Sequence, residues 1–179
     1  MVENFPHAHF ERYADDIAVH CCSYKQLKYV EREIRKSFVR CKLEPCSEKT
    51  KIVYCKDSSR CGDYPVQSFD FLDYTFRPRS TQDREGQFFI SFSPAVSRKS
   101  LKAMREKVKQ HPLIGKCFDK SIEEVAKAIN PIIQGWINHY GKFRKSSLPA
   151  IYDYINERLM KWTRRKYKNL KQRKQRSEE

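Results

Sequence analysis

Past Ser93-Pro94 the hydrophobic period of this chain becomes helical throughout, and that switch limits what it can fold into. Before it, one helical stretch aside, apolar residues alternate with polar ones in short runs, as in Ile17, Val19 and Cys21. Alternation of this kind is the mark of a half-buried strand. After it, apolar residues recur every three or four positions, the spacing of an amphipathic helix. Leu101, Met104 and Val108 form one such face. The pattern predicts an α+β chain, with strands and one helix first and an all-α bundle second.

Within the first part, Ser23 and Gln26 read as a capping pair for a helix over 24–41, with Leu27, Val30, Ile34 and Phe38 on one face. A strand is expected at Ile52-Val53-Tyr54-Cys55, followed by a polar loop from Lys56 to Pro65. Phe69 to Phe76 reads as one further strand, paired with 87–92 across a turn at Arg84-Glu85-Gly86. In the second part Ser97 caps a helix, and Ser121 with Glu124 forms a capping box for another. Asn130-Pro131 reads as an N-cap with proline at the first helical position, starting a separate helix with Ile133, Trp136, Ile137 and Tyr140 that Gly141 ends. A last helix starts near Ser147 and carries Leu148, Ile151, Ile155, Leu159 and Trp162. The domain boundary is placed near residue 94.

Charge follows the same division. Residues 1–93 carry 15 Lys/Arg against 14 Asp/Glu, whereas residues 94–179 carry 22 against 8. Nearly all of the net +15 therefore lies in the second part, which predicts a polyanionic partner there, nucleic acid before membrane. No stretch approaches the roughly 20 apolar residues of a membrane span. The first residues lack a signal-peptide pattern. Seven cysteines, two of them adjacent at Cys21-Cys22, suit a reducing, cytoplasmic compartment better than a disulfide framework. Cys41, Cys46, Cys55 and Cys61 contain no Cys-x-x-Cys pair, so their spacing does not favour structural zinc.

The residues that suggest chemistry are Asp15 and Asp16, placed at a strand-turn-strand corner by the alternation that follows them. Two carboxylates held this close repel unless a cation neutralises them. Oxygen-rich corners suit Mg²⁺, and paired Mg²⁺ ions assist nucleotide polymerisation.

Four segments in order carry a resemblance: Phe10-Glu11-Arg12-Tyr13-Ala14-Asp15-Asp16, Glu48-Lys49-Thr50-Lys51, Phe69-Asp70-Phe71-Leu72-Asp73-Tyr74-Thr75-Phe76, and Gly135-Trp136-Ile137-Asn138-His139-Tyr140. Together, from about Asn4 to Lys168, they resemble the C-terminal half of a bacterial group II intron-encoded reverse transcriptase and maturase. The resemblance implies a partial palm over 1–93, a helical thumb or maturase-specific domain over 94–168, and a basic tail over 169–179. It implies that Asp15 and Asp16 serve catalysis and bind Mg²⁺. Tyr13, Ala14 and Lys49 would meet primer terminus or nucleotide. Phe71, Leu72, Asp73 and Tyr74 resemble a primer-grip strand, where the family usually has Gly at the position of Asp73. A strand glycine often marks close backbone approach, so the acidic side chain puts primer handling in question.

The family's fingers and a third metal-binding Asp precede the Tyr-Ala-Asp-Asp turn, whereas this chain begins shortly before it. The expectation is a piece of a longer enzyme that binds group II intron RNA, with a DNA target or primer as further partners of the complete family enzyme, and lacks polymerase activity by itself. Mg²⁺ belongs to that complete enzyme. Arg144, Lys145, Arg164, Arg165 and Lys166 cluster near the ends of the last helix and are the candidate RNA contacts. Trp136, Tyr140 and Trp162 sit at apolar helical spacing and read as core. The alternatives are a non-catalytic RNA-binding maturase module, or a generic basic nucleic-acid-binding protein.

Overall fold

The computed structural model describes residues 8–60, 62–115 and 118–167. Among these, the chain is mixed α and β, with two small antiparallel sheets and five α-helices. It divides into two compact units, Met1–Ile52 and Val53–Glu179. The period switch at residue 94 therefore lies inside the second unit rather than at its edge.

The first unit holds a hairpin and a helix. Strands β1 (His9–Tyr13) and β2 (Asp16–His20) pair antiparallel, with Tyr13 opposite Asp16. Helix α1 (Tyr24–Arg40) starts where its cap predicts: the Ser23 hydroxyl accepts from Gln26 N at 3.2 Å. The Gln26 side chain accepts from Cys22 N at 2.7 Å, one residue short of the reciprocal bond of a capping box. Only Val30 of its apolar stripe is buried.

In the second unit β3 (Phe69–Phe71), β4 (Tyr74–Gln82) and β5 (Phe88–Val96) form a three-stranded sheet in sequence order. The β4–β5 turn needs Gly86 at φ +88, and Asp83 closes it by accepting from Glu85 N and Gln87 N. Residues 52–55 do not form the expected strand. That segment runs as irregular chain, and beyond it Ser58 bonds to Ile90 of β5 through both its backbone and its side chain.

Four helices follow: α2 (Arg98–Gln110), the short α3 (Pro112–Gly115), α4 (Ile122–Tyr140) and α5 (Pro149–Lys166). The Ser97 cap and the Ser121–Glu124 capping box form as the sequence predicts. The break expected at Asn130-Pro131 does not occur, because Pro131 lies inside α4. An interior proline costs about 3 kcal/mol. Val125, Ile129, Ile133, Trp136 and Tyr140 form one continuous apolar face across it, packed in or against the core. Burial worth roughly 1.5–3 kcal/mol per large side chain outweighs the penalty.

Gly141 ends α4 in right-handed geometry. It is required by closeness, because a Cβ there would lie 2.4 Å from Ile137 O. The last helix starts near Ser147 as expected: Ser147 ends a 3₁₀ turn, Lys145–Ser147, Leu148 is the N-cap and Pro149 the first residue of α5. The core joins sheet to helices, with Tyr74 and Val96 packed among Met104, Val125, Ile151 and Trp162.

Candidate nucleic-acid interface

The Asp pair sits where the alternation places it. Ala14 and Asp15 are the two turn residues of the β1–β2 hairpin, and Asp16 opens β2. Ala14 has φ +51, a left-handed value that a residue with a Cβ adopts at a cost. Arg12 Nε donates to Ala14 O at 3.0 Å and braces the turn. Tyr13, Ala14, Asp15 and Asp16 are all exposed. Lys49 lies in a separate turn of the same unit, where Lys49 N and Thr50 N both donate to Cys46 O.

Among the described residues, no third His, Cys, Asp or Glu joins Asp15 and Asp16 in a group that could hold a metal ion. Mg²⁺ takes one or two carboxylates when substrate phosphates and water complete its octahedron. A two-ion clamp needs more ligands than that. The donors present therefore do not fit a polymerase metal pair, and no catalytic step follows from them.

The segment Phe71-Leu72-Asp73-Tyr74 is not a strand. Phe71 pairs with Tyr74, and Leu72 and Asp73 form a two-residue turn with φ +47 and +69. Two successive left-handed residues match the hairpin turn that twists with its strands, which favours Gly, Asn or Asp. The expected glycine position is thus a turn position, and Asp73 meets its backbone requirement better than most side chains.

Asp73 also makes contacts. Its carbonyl accepts from Ser97 N at 2.9 Å, and its carboxylate accepts from the Ser100 hydroxyl at 3.1 Å. The turn is thereby tied to the first turn of α2. Tyr74 is buried; its hydroxyl donates to His139 O at 2.7 Å, and its ring meets those of His139, Tyr140 and Phe143. Burial, then the neighbouring Tyr140 and Asp73, hold its phenol above the ordinary tyrosine range, so it stays a donor. Ring and hydroxyl are both occupied within the unit, whereas Leu72 and Asp73 are exposed.

The basic residues separate into two groups. Arg144 and Lys145 precede α5, and Arg164, Arg165 and Lys166 form its last turn. Eighteen helical residues put these ends about 25 Å apart. Arg144 is half-buried and donates through Nη2 to Ser80 O at 3.2 Å. The Lys166 ammonium bonds to Lys120 O and lies over the Trp162 and Tyr167 rings. Trp162 and Tyr140 are core residues, as their spacing predicts. Residues 168–179, which hold much of the basic run, lie outside the described residues.

Two arginines escape the sequence reading. Arg77 and Arg79 stand two apart on β4, hence on one face, and they border a cavity with Arg144. Ending the strand at Phe76 had hidden them, although the Arg-x-Arg alternation was available as a signal.

Residues 101–178 match the family model of the group II intron maturase-specific domain. The match takes in most of α2 and all of α3, α4 and α5, so the likeness first seen in the short motifs extends there over the helices. No curated protein and no solved structure matches the chain. Among the described residues no helix is long and apolar enough to cross a membrane.

Proposed function

We propose that this chain is an RNA-binding maturase module whose helical unit holds group II intron RNA and assists its splicing. The observation that carries the reading is a coincidence. The stretch matching the maturase-specific domain is also the stretch that holds the charge excess. Among the described residues, its Tyr140 and Trp162 are buried in the core, while Lys102, Arg105, Lys107, Lys142, Lys145 and Arg165 are exposed. Such a surface binds by neutralising phosphates rather than by stacking bases. In this reading β3–β5 and the helices correspond to the end of a palm and a thumb, and the β1–β2 hairpin to the catalytic corner of the palm.

The hairpin supports a second reading, that of a reverse transcriptase piece still able to use Asp15. Two exposed carboxylates do not complete a metal pair, and we expect the chain alone not to extend a primed RNA template with dNTPs and Mg²⁺. Template-dependent extension that disappears in Asp15→Ala would establish the second reading instead. The first is tested by competition: structured intron RNA should displace a bound RNA probe at concentrations where duplex DNA of equal length does not. Equal displacement by both would make this a generic basic nucleic-acid binder.

A further inference from the structure

The geometry points to a built phosphate site in the second unit, formed by Arg77, Arg79 and Arg144 and taking a backbone phosphate of the bound RNA. The inference rests on the RNA-binding reading above and adds residues that lie outside the matched domain.

The three arginines border one open cavity of about 440 Å³, together with Pro78, Ser80, Ser146 and Ser147. Among the described residues, none of the three forms an ion pair with a carboxylate. Two of the three are held in place. Arg79 donates through Nε to Ser93 O at 3.2 Å and through Nη2 to Thr75 O at 3.0 Å. Arg144 is fixed by its bond to Ser80 O. Arg77 is exposed and its side chain makes no hydrogen bond among the described residues, so its donor fork is available.

Like charges gathered without a counterion oppose one another. Burial lowers the Arg79 pKa from its ordinary value, and the charges of Arg77 and Arg144 lower it further. An anion seated among them reverses that cost. Guanidinium forks match phosphate oxygens in pairs, and the serine hydroxyls can serve the remaining oxygens. The two available sources of phosphate are an RNA backbone and the free ion. The backbone is favoured because the cavity is open and belongs to the same compact unit as the matched domain.

The test uses the full chain and a structured group II intron RNA across a salt series. Arg77→Gln/Arg144→Gln should weaken binding about tenfold and make the slope of log affinity against log salt shallower by about 1, the signature of one lost phosphate contact. Arg60→Gln/Arg84→Gln removes two exposed charges elsewhere in the unit, outside the matched stretch, and should change affinity less than threefold. Ser146→Glu places a carboxylate at the cavity and should raise the melting temperature while weakening RNA binding, a combination that simple loss of structure cannot produce. In parallel, inorganic phosphate replaces chloride at matched ionic strength in a thermal melt.

Unchanged affinity and slope in the arginine pair, with the parent binding RNA, would overturn the site and leave the RNA-binding reading standing. Thermal stabilisation by inorganic phosphate that the arginine pair abolishes, without any effect on RNA affinity, would make it a free-anion site and also overturn the proposal. A parent chain that binds no RNA would sink both readings. Should the arginine pair prove unfolded by circular dichroism, Ser146→Glu decides: parental RNA affinity in that variant overturns the site.

Discussion

Asp73 satisfies two requirements. Its backbone takes φ +69 in a tight turn, and its side chain and carbonyl hold the Ser97–Ser100 start of α2. Asp and Asn tolerate this conformation because their short polar side chains bond locally. We expect Asp73→Ala to destabilise the second unit by about 1–2 kcal/mol, combining a lost hydrogen bond with a less suitable turn residue. Asp73→Asn retains an acceptor and should cost under about 0.5 kcal/mol. Urea unfolding of both variants checks this, and equal stability of the two would show that the contact to Ser100 contributes nothing. The turn was hard to read from sequence. Leu72 gives no turn signal, and the run from Phe69 to Phe76 alternates well enough to pass for one strand. A left-handed pair such as Leu72-Asp73 is imposed by the pairing of Phe69 with Phe76 and of Phe71 with Tyr74 rather than by local preference.

Caps and apolar faces were the most legible features at the scale of elements. Ser23, Ser97 and Ser121 each start a helix where a hydroxyl is followed by helical spacing. Pro131 misled because proline is a strong local signal, while the packing that overrides it depends on distant residues. The Asp15–Asp16 corner was legible from alternation alone; the Arg77–Arg79–Arg144 cavity was not, since it joins a strand to a loop 65 residues away from Arg79 in the chain. Pro131→Ala should restore a backbone donor within α4 and raise stability by about 1–3 kcal/mol. A thermal melt followed by helicity would read this as a higher midpoint, and a lower one would mean that the proline ring itself is needed for packing. Ser121→Ala removes the capping box and should cost about 1 kcal/mol in the same measurement.

The whole second unit depends on one core shared by sheet and helices. Trp162, 1% exposed, lies near the end of α5 and packs in the same cluster as Tyr74 of β4. Trp162→Ala should cost about 3–5 kcal/mol, enough to unfold the unit or leave it marginal, and loss of helicity by circular dichroism reports it. Replacing surface Arg164, Arg165 and Lys166 by Ala should leave the fold intact. On the proposed function, stability and RNA binding rest on different side chains of one helix: Ile151, Ile155 and Trp162 in the core for the first, Arg164, Arg165 and Lys166 for the second.

The central claim is that this basic helical unit holds RNA through phosphate contacts. Its most direct test is the affinity of the full chain for a structured group II intron RNA across a salt series, compared with the Arg164→Ala/Arg165→Ala/Lys166→Ala variant. The account predicts a linear fall of log affinity with log salt for the parent. For the variant it predicts weaker binding and a slope shallower by about 1–3, at unchanged helicity. Salt-independent binding by the parent, or none at all, would contradict it.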